Sequence, residues 1–546
     1  MSVNEENVWY GGPEPTNLTE GTGSLGALCL KRLKEQGDAI KLIDGLTSEE
    51  VSAKQLYERS VHLANCLTHF GIKSGNKVGM CSENRTEFAY VLFGTLCVGA
   101  TFAPLNTTYG EREIHHALSL SKPKIVFASP TTIDKILRVT VKHSSVEVVV
   151  VFGEKNGIND TTVIDFKTFC NKANAARNFE CQPEDVFENV SLILLSSGTT
   201  GQPKGVMITQ YNIMIGLHQH YQQTRLLEDE QVSHHINMGV IPWFHAFGCH
   251  SLIGLMINKA TYVFLPKFEE VSFLRCIETY KTNTIFMVPP LMVFLAKSPI
   301  VSEYDTSSIK VIWCGAAPLS KEVEDAVKCR IGVPIVRQGY GMTEGSLAFT
   351  GQTDLNHKSG SVGTLRTGVW GRVIDVDTGN NLKAFEKGEL LFKGSCLMKG
   401  YIGDVEATKN TIDEDGWIHT GDIGYYDNDG ELFVVDRLKE LIKYNGFQVP
   451  PAEIEALLLQ HPHVRDAGVI GILDDKVGEL PFAFIVKQQP SDVTEKDIIK
   501  FVAERSSPAK RLHGGVKFVK EIPKNPSGKI LRRELRNLYT NMTSKL

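Results

Sequence analysis

The chain contains 546 residues, of which 42% are hydrophobic and 22% are charged, and this composition excludes a disordered or fibrous protein. Its length predicts two or more folding units, at least one of them large. The formal net charge of −5 gives no electrostatic basis for binding nucleic acids or anionic membranes, and no apolar run has the length of a membrane span. Small molecules are therefore the expected partners.

The cysteines and the N-terminal residues indicate an intracellular protein. None of the eleven cysteines lies within four residues of another, so neither a CxxC zinc pair nor a compact disulfide framework is expected. We expect reduced, mostly buried thiols. The polar and acidic start of the chain lacks the basic and then apolar order of a signal peptide.

Short apolar runs alternate with helical patterns from about residue 75 onward. Several of these runs are apolar on both faces, as strands covered by helices must be, and they predict a mostly parallel α/β architecture. In chain order the runs are "KVGMCS", "KIVFAS", "VEVVVVFG", "VSLILLSSG", "TYVFLP", "TIFMVPP" and "KVIWCGAAP".

The pattern changes after about residue 360 to shorter, alternating strands separated by glycines. "YYDNDGELFVVD" predicts a hairpin with Asp429 and Gly430 in the turn. Beyond "DRLK" at 436–439 we expect a smaller α+β unit, with a helix over 451–461 that begins at a Pro-Pro pair. The predicted apolar faces are Ile454, Leu457 and Leu458 in that helix and Leu531, Leu535 and Leu538 in a terminal helix over 531–538.

A glycine-rich segment at residues 196–206, "SSGTTGQPKGV", follows a predicted buried strand. It does not fit the Walker A rule, because Lys204 follows a proline and precedes a glycine. Its glycines permit close approach of the backbone to a ligand, and its N–H groups, threonine hydroxyls and lysine could hold an anion. A bare glycine-rich surface turn is the alternative interpretation.

This segment resembles the phosphate-binding signature of the adenylate-forming superfamily, which includes acyl-CoA synthetases, 4-coumarate-CoA ligases and beetle luciferases. The other signatures of that superfamily follow in order along the chain. They are "GAAPLS" at 315–320, "QGYGMTE" at 338–344, "GWIHTGD" at 416–422, "VVDRLKELIKYNGFQVPPAEIE" at 434–455 and "PSGKILRR" at 526–533. The chain is most similar to insect luciferases and luciferase-like fatty acyl-CoA synthetases.

The resemblance implies an α/β fold in two domains. A large N-terminal adenylation domain at 1–436 would contain α/β subdomains and a small β-barrel-like subdomain. A smaller, mobile α+β C-terminal domain at 437–546 would act as a lid. Such enzymes join a carboxylic acid to the α-phosphate of ATP with loss of pyrophosphate, so positioning and charge neutralisation carry the catalysis.

The same resemblance implies how ATP and Mg²⁺ are bound. Tyr340 would stack on adenine, Thr343 would contact the α-phosphate, Asp422 would accept hydrogen bonds from the ribose, and Glu344 would help to hold Mg²⁺. Arg437 would lie against the ribose and phosphate. The remaining predicted nucleotide-binding residues are Ser197, Gly198, Thr199, Thr200, Gly201 and Lys204 at the phosphates, and Gly315, Ala316, Ala317, Gln338, Gly339 and Gly341 around the adenine.

The resemblance also assigns catalytic and hinge roles in the C-terminal part of the chain. Lys529, at the predicted start of the terminal helix, would stabilise charge during adenylation, whereas a solvent-exposed lysine is the default interpretation. Lys439 occupies the hinge position about which the small domain would turn after adenylation. That turn would present a second face for thioester formation with coenzyme A, which contains Lys443, Gly446 and Gln448.

Three residues bear on the acid substrate. The resemblance places His245 and Phe247 at the wall of the acyl pocket, although a histidine beside aromatic residues is more often a packed core residue. From the position of Thr343 onward beetle luciferases typically read T-E-T-T-S-A, whereas this chain reads "TEGSLA" at 343–348, with Leu347 in place of a serine that contacts luciferin. Leucine cannot supply that hydrogen bond and suits an alkyl chain.

We therefore expect an acyl-CoA synthetase that requires ATP and Mg²⁺ and acts on medium- to long-chain fatty acids. The alternatives are a beetle-type luciferase, a 4-coumarate-CoA-type ligase for aryl acids, and a non-catalytic ATP-binding homologue. The terminal Ser544-Lys545-Leu546 matches the peroxisomal targeting signal, so we expect recognition by the peroxisomal import receptor and a peroxisomal location.

Overall fold

A computed structural model of the chain describes residues 2–4, 6–154, 160–173, 179–196, 203–225, 235–353, 358–474, 476–526 and 528–543. Two predicted features lie outside the described residues. They are the glycine-loop residues Ser197, Gly198, Thr199, Thr200 and Gly201, and the C-terminal Ser544-Lys545-Leu546.

The helices begin where the sequence offers caps or prolines. Ser52 and Gln55 form a reciprocal capping box at the start of one helix, and prolines occupy the first turn of two others. The α-helices are Leu25–Gln36, Ala53–His69, Thr86–Cys97, Glu111–Ser121, Ile133–Thr140, Phe166–Cys170, Gln210–Arg225, Ala246–Ile257, Glu270–Tyr280, Pro289–Lys297, Lys321–Ile331, Val405–Lys409, Pro451–Leu459, Glu495–Arg505 and Arg532–Thr543, and the 3₁₀ turns are Pro299–Glu303, Thr343–Gly345 and Pro508–Lys510.

The first sheet has eight strands, of which the last six in spatial order run parallel, as the apolar runs predict. Ser196 lies opposite Lys204 in an antiparallel pair, so the two strands that flank the glycine loop are neighbours. The spatial order is Gly400–Tyr401, Lys204–Thr209, Val190–Ser196, Thr101–Leu105, Lys77–Cys81, Ile125–Ala128, Val148–Val151 and Val163–Asp165.

The second sheet has seven strands, and six of them are parallel. Its edge pair, Ile40–Asp44 and Glu50–Ser52, comes from the first 75 residues, which are thereby integrated into the large domain. The spatial order is Ile335–Gln338, Val311–Cys314, Thr284–Met287, Ile236–Gly239, Thr261–Phe264, Ile40–Asp44 and Glu50–Ser52.

An antiparallel sheet follows, as the shorter alternating strands predict. Its last two strands form the predicted hairpin, and Gly430 adopts a φ of 78° in the turn. The spatial order is Ser2–Val3, Trp9–Tyr10, Trp370–Ile374, Gly388–Lys393, Ile418–Tyr426 and Leu432–Arg437, and a separate two-stranded sheet pairs Thr350–Gly351 with Thr364–Leu365.

The smaller α+β unit has its own sheet and its own core, centred on residues such as Ile454 and Leu458. Its helix begins at Pro451, as predicted. The terminal helix differs from the prediction, because it begins at Arg532, and of the three leucines only Leu535 is fully buried. The spatial order of the sheet is Phe447–Val449, Ile442–Tyr444, Gly478–Lys487 and Val464–Asp474, with Gly515–Phe518 beside Gly478–Lys487.

Two further expectations concern membranes and thiols. Across the described residues, no helix has the length and apolar character that crossing a membrane requires. All eleven cysteines are free thiols, and eight of them are buried. The thiols thus agree with the expectation from their spacing.

Asn84 joins the two large sheets through the segment that precedes His245. Its side-chain amide donates to the carbonyl oxygens of Ile241 (3.2 Å) and Leu265 (3.3 Å). Its Oδ1 accepts the N–H of Trp243 at 2.8 Å, and the residue is only 2% exposed. One buried amide therefore fixes the backbone that leads into the "PWFHAFG" motif.

Replacing Asn84 with alanine should destabilise the large domain by about 2–4 kcal/mol, because three buried backbone groups lose their partner. The measurement is the midpoint of the first urea unfolding transition. The control is Asn171→Ala, since Asn171 follows a short helix far along the chain from this junction. An unchanged midpoint for Asn84→Ala would show that the junction does not depend on this amide.

Candidate active site

The nucleotide loops meet at the carboxyl ends of two neighbouring parallel strands. Cys314 lies opposite Gln338 in the second sheet, and each strand leads directly into one of the glycine-rich motifs. A β-carbon placed on Gly315 would lie 3.7 Å from the carbonyl oxygen of Gly339, so the two loops are adjacent. Ligands of open α/β sheets bind in crevices of this kind.

The loop geometry explains why small residues are needed there. A β-carbon on Gly341 would lie 2.1 Å from the carbonyl oxygen of Leu347, which excludes any larger residue. Ala316 adopts a φ of 71°, a conformation that L-residues rarely occupy. Ala317 follows it in the same loop. The side-chain amide of Gln338 donates to Glu324 at 3.1 Å, so Gln338 supports the loop from the side of the helix Lys321–Ile331.

Asp422, Arg437 and Tyr340 come together from three elements. Asp422 and Arg437 are register partners in the antiparallel sheet, and the Arg437 Nε lies 3.4 Å from the Asp422 Oδ1. Tyr340 donates its hydroxyl to the Asp422 Oδ2 at 2.5 Å. Burial and the neighbouring carboxylate raise the pKa of Tyr340 well above its ordinary value. The tyrosine hydroxyl is therefore a fixed donor that orients the carboxylate.

A second tyrosine orients Glu344. The Tyr401 hydroxyl donates to the Glu344 Oε1 at 2.8 Å, and burial followed by this carboxylate raises the pKa of Tyr401. The Lys204 ammonium lies 4.7 Å from the centre of the Tyr401 ring. The tertiary structure thus gathers a cation and a carboxylate of two predicted motifs around one aromatic ring. A buried carboxylate oxygen is a donor that Mg²⁺ prefers, so Glu344 fits the predicted metal role.

Tyr401 was not identified from the sequence. It lies in "KGYIGD", which contains no charged group with an evident catalytic role. The signal was the short strand Gly400–Tyr401, which adds to the edge of the first sheet beside the strand that begins at Lys204. Only that strand pairing shows that the tyrosine lies beside the strand Lys204–Thr209.

His245 and Phe247 lie where the helix Ala246–Ile257 begins. Burial lowers the pKa of His245 to about 4, and the ammonium of Lys529 contributes to this shift. The imidazole is therefore neutral at pH 7. The Phe247 ring would lie 3.7 Å from a β-carbon on Gly315, so this aromatic residue borders the nucleotide loops.

Lys529 enters the same cluster from the smaller unit. Burial, followed by the charge of Arg437, lowers the pKa of Lys529 to about 8, while Asp422 opposes the shift. Its loop is held by Asn525, whose side chain accepts the Lys529 N–H at 2.8 Å. Lys529 lies three residues before the terminal helix, which begins at Arg532. Lys529 is partly buried, in contrast to the fully exposed lysine of the default interpretation.

The smaller unit rests directly on the larger one. A β-carbon on Gly528 would lie 3.0 Å from Val288 and 3.1 Å from Pro290, which leaves space for glycine alone. The ammonium of Lys297 donates to the carbonyl oxygens of Leu459 and Val464, both at 2.6 Å. Lys297 thereby caps the carboxyl end of the helix Pro451–Leu459 across the interface.

The remaining predicted residues lie in three places. Thr343 begins the 3₁₀ turn that contains Glu344, and Leu347 follows that turn facing the helix Gln210–Arg225. Lys439 is exposed in the turn between the two units, where a hinge is predicted. An exposed hairpin contains the predicted coenzyme A residues, in which Lys443 lies opposite Gln448 and Gly446 forms the turn. The structure does not bring this hairpin into the buried cluster around Lys529.

Comparison with known proteins gives consistent results. The family model "AMP-binding enzyme" matches residues 30–402, and "AMP-binding enzyme C-terminal domain" matches residues 453–529. Luciferin 4-monooxygenase of Nipponoluciola cruciata is 39% identical over 100% of this chain and 99% of its own length. Probable 4-coumarate--CoA ligase 3 of Dictyostelium discoideum is 37% identical over 93% of this chain and 94% of its own.

Solved structures agree with this grouping. A Mycobacterium tuberculosis fatty acyl CoA synthetase superposes with a TM-score of 0.71 at 26% identity, covering 95% of this chain and 99% of the other. ATP-bound MatB from Rhodopseudomonas palustris gives 0.83 at 25% identity, with the same coverage. The fold and site are those of an adenylate-forming enzyme with a large and a small domain. The chain belongs to the AMP-binding enzyme family, among whose members are luciferases and 4-coumarate-CoA ligases.

Replacing Lys297 with methionine should loosen the docking of the small unit, because two carbonyl oxygens lose a charged donor. We expect amide hydrogen exchange at residues 525–529 to accelerate about tenfold or more. Lys310→Met is the matched control, since the Lys310 ammonium contacts only a nearby carbonyl of the large domain at 3.3 Å. Equal exchange in both variants would contradict the docking role of Lys297.

Proposed function

We propose that this protein is an AMP-forming acyl-CoA synthetase that activates a medium- to long-chain fatty acid. The use of ATP and coenzyme A as substrates fits the family to which the chain belongs. The observation that carries the proposal is the partly buried Lys529, which the small unit inserts beside His245, Asp422 and Arg437. This cluster surrounds the loops at which a nucleotide would bind.

In the first half-reaction the substrate carboxylate attacks the α-phosphate of ATP, and pyrophosphate leaves. Two anions must approach each other, so cationic groups held in place before reaction lower the barrier. Lys529 and Arg437 are such groups, and Lys204 would hold the departing phosphates. Mg²⁺ held by Glu344 would add neutralising charge at the phosphates. His245, kept neutral by burial, would border the reacting carboxyl group without adding charge.

In the second half-reaction the thiol of coenzyme A attacks the acyl carbonyl, and AMP leaves. Lys443, Gly446 and Gln448 are exposed on the small unit and are available to form a second face. A turn about Lys439 would withdraw Lys529 and present that face. Two half-reactions at one nucleotide site then require two arrangements of the domains.

Leu347 favours an aliphatic acid over luciferin. Its side chain faces Gly216 on the helix Gln210–Arg225, where it adds apolar surface and no hydrogen bond. Because relatives named luciferin 4-monooxygenase match along the full chain, oxidation of luciferyl-adenylate with light emission is the second candidate. The C-terminal Ser544-Lys545-Leu546 supports the further proposal of peroxisomal import.

The test of this function is mass spectrometry of products from the purified protein with ATP, Mg²⁺ and a panel of fatty and aryl acids, with and without coenzyme A. The proposal predicts a fatty acyl-CoA that requires both ATP and coenzyme A. Light from luciferin, ATP and O₂ without any fatty acyl-CoA would favour the luciferase. Absence of any adenylate would favour a non-catalytic ATP-binding homologue.

Replacing Lys529 with methionine should slow adenylate formation by about 10²-fold or more, since a buried charged donor is lost from the transition state. Conversion of preformed acyl-adenylate and coenzyme A to thioester should change by less than about fivefold. The two half-reactions are measured separately by ATP–pyrophosphate exchange and by thioester formation. Lys443→Met is the matched control and should show the opposite ranking. Equal losses in both half-reactions would contradict the assignment.

The lowered pKa of Lys529 predicts a pH dependence for adenylation. The ammonium is present below pH 8 and is lost as the pH rises through about 8, so kcat/KM for adenylation should fall above that pH. Lys529→Arg removes this titration, because guanidinium stays charged throughout the range. Its residual activity should therefore show no loss near pH 8. A parallel loss in the arginine variant would assign the titration to another group.

A further inference from the structure

Arg366 is buried without a partner for much of its guanidinium group. The residue is 5% exposed, and neither its Nε nor its Nη1 has a hydrogen-bond partner in the described structure. Burial lowers its pKa to about 10, and the thiol of Cys396 is the group that opposes this shift. A buried charge is costly unless it is paired. Arg366 therefore requires an explanation that the rest of the protein does not supply.

A second guanidinium and a histidine lie beside it. Arg337 is 2% exposed and lies over the Trp313 ring at 4.9 Å. The His220 ring is 5.3 Å from the same tryptophan. Burial, then Arg366 and then Arg337, lower the pKa of His220 to about 3. The histidine is consequently neutral, and the cluster contains two buried guanidinium groups.

The cluster adjoins the residue that we assign to the wall of the acid pocket. Gly216 and His220 are four residues apart on the helix Gln210–Arg225 and so share one face. A β-carbon on Gly216 would lie 4.0 Å from the Leu347 Cβ. His220 is thus one helical turn beyond the leucine assigned to the pocket wall.

The chain segment that begins at Leu347 connects the pocket to Arg366. The Arg366 N–H donates to the carbonyl oxygen of Phe349 at 2.9 Å, so the arginine lies directly beside this segment. Arg337 immediately precedes Gln338 in the strand that leads to the nucleotide loop, and Gln338 faces the opposite helix. Because successive side chains of a strand point to opposite faces, Arg337 faces the pocket side.

Two further buried polar atoms in this region lack partners among the described residues. The Ser346 hydroxyl is fully buried and unbonded, and it immediately precedes Leu347. Gln219 donates to the carbonyl oxygen of Thr367 at 2.5 Å, but its Oε1 is unbonded. Unsatisfied groups are rare in protein interiors and here they occur together. Their grouping indicates a polar subsite.

We propose that this cluster binds a second anionic group at the distal end of the acid substrate, and that the substrate is an aliphatic dicarboxylic acid. A carboxylate matches the planar guanidinium of Arg366, which can donate two parallel hydrogen bonds. The negative charge of this carboxylate would offset the positive charge of Arg366. The inference rests on the proposed function and specifies the substrate of that site.

Apolar side chains near both places suit the chain of such an acid. Phe247 lies beside Gly315 of the nucleotide loop, Leu347 faces Gly216, and the Trp313 ring lies against Arg337. An unsubstituted fatty acid would place a methyl group against the Arg366 guanidinium and leave its Nε and Nη1 unpaired. Sites that are built to hydrogen-bond a substrate group discriminate strongly against analogues that lack it.

The experiment compares monocarboxylic and dicarboxylic acids of equal length, namely decanoate with decanedioate and dodecanoate with dodecanedioate. The readout is kcat/KM in ATP–pyrophosphate exchange. The parent enzyme should favour each dicarboxylate by about tenfold or more. Preference for the monocarboxylate in both pairs would overturn the inference and leave the proposed function intact. Absence of exchange with every acid would overturn both.

Variants of Arg366 test whether this residue causes the preference for dicarboxylic acids. Arg366→Met should reduce kcat/KM for the dicarboxylates by about 10²-fold and change the monocarboxylate values by less than about threefold. Arg366→Lys should restore part of the preference, because it keeps a charge without the planar fork. Arg372→Met is the control, since Arg372 lies over Trp417 in the antiparallel sheet at 4.4 Å. Equal losses for both acid classes in Arg366→Met would overturn the assignment.

A binding measurement separates this subsite from catalysis. Decanedioate should raise the thermal midpoint of the parent protein more than decanoate does at the same concentration, and Arg366→Met should abolish that difference. An equal midpoint shift with both acids in the parent would count against a distal anion site. If Arg366→Met does not fold, Arg366→Lys and the parent comparison still decide the question.

Discussion

The proposed chemistry depends on one partly buried lysine, Lys529, at the junction of two domains. Lys529 comes from the small unit, and its electrostatic neighbours Asp422 and Arg437 lie on two paired strands of the large one. Burial, followed by the charge of Arg437, lowers the pKa of Lys529 to about 8, and the carboxylates of Asp422 and Glu440 partly offset that shift. The site is therefore complete only when the small unit is docked.

Contacts between the two units hold the small unit in its docked position. Glycine at position 528 lets the lysine loop approach Val288 and Pro290, and Lys297 caps the end of a helix on the small unit. Lys387 approaches Glu453 near the other end of that helix at 3.8 Å, although this pair is partly exposed and contributes little. Such contacts can be lost and remade together, which suits a gate between two half-reactions.

Two tyrosines orient the carboxylates of the site through hydrogen bonds. Tyr340 and Tyr401 each donate to a motif carboxylate, so Asp422 and Glu344 are oriented before any ligand arrives. Burial raises the pKa of both tyrosines, and the neighbouring carboxylate raises it further because it would repel a phenolate. Both hydroxyls therefore stay protonated. Preorganised dipoles of this kind need no rearrangement during reaction. Arg366 differs, because its Nε and Nη1 have no hydrogen-bond partner among the described residues.

Much of the fold was predictable because local pattern and tertiary environment agree. Apolar runs such as "KIVFAS" are buried on both faces in parallel sheets, and the Asp429-Gly430 turn forms the expected hairpin. The terminal helix was misplaced because leucine spacing alone does not fix a helix start. Here the Lys524–Ile530 bridge and the Gly528 turn hold the chain extended until Arg532.

By itself the sequence determined the family, the two-unit organisation and the motif residues, because each motif is a short run of consecutive residues that can be recognised without knowledge of the fold. Only the tertiary structure decided which groups meet. Tyr401, Lys297 and Arg366 lie in segments with no recognisable signature, and their partners are distant in sequence. Burial, hydrogen-bond partners and the charge left unpaired at Arg366 depend on how sheets and helices pack, and no local pattern contains that information.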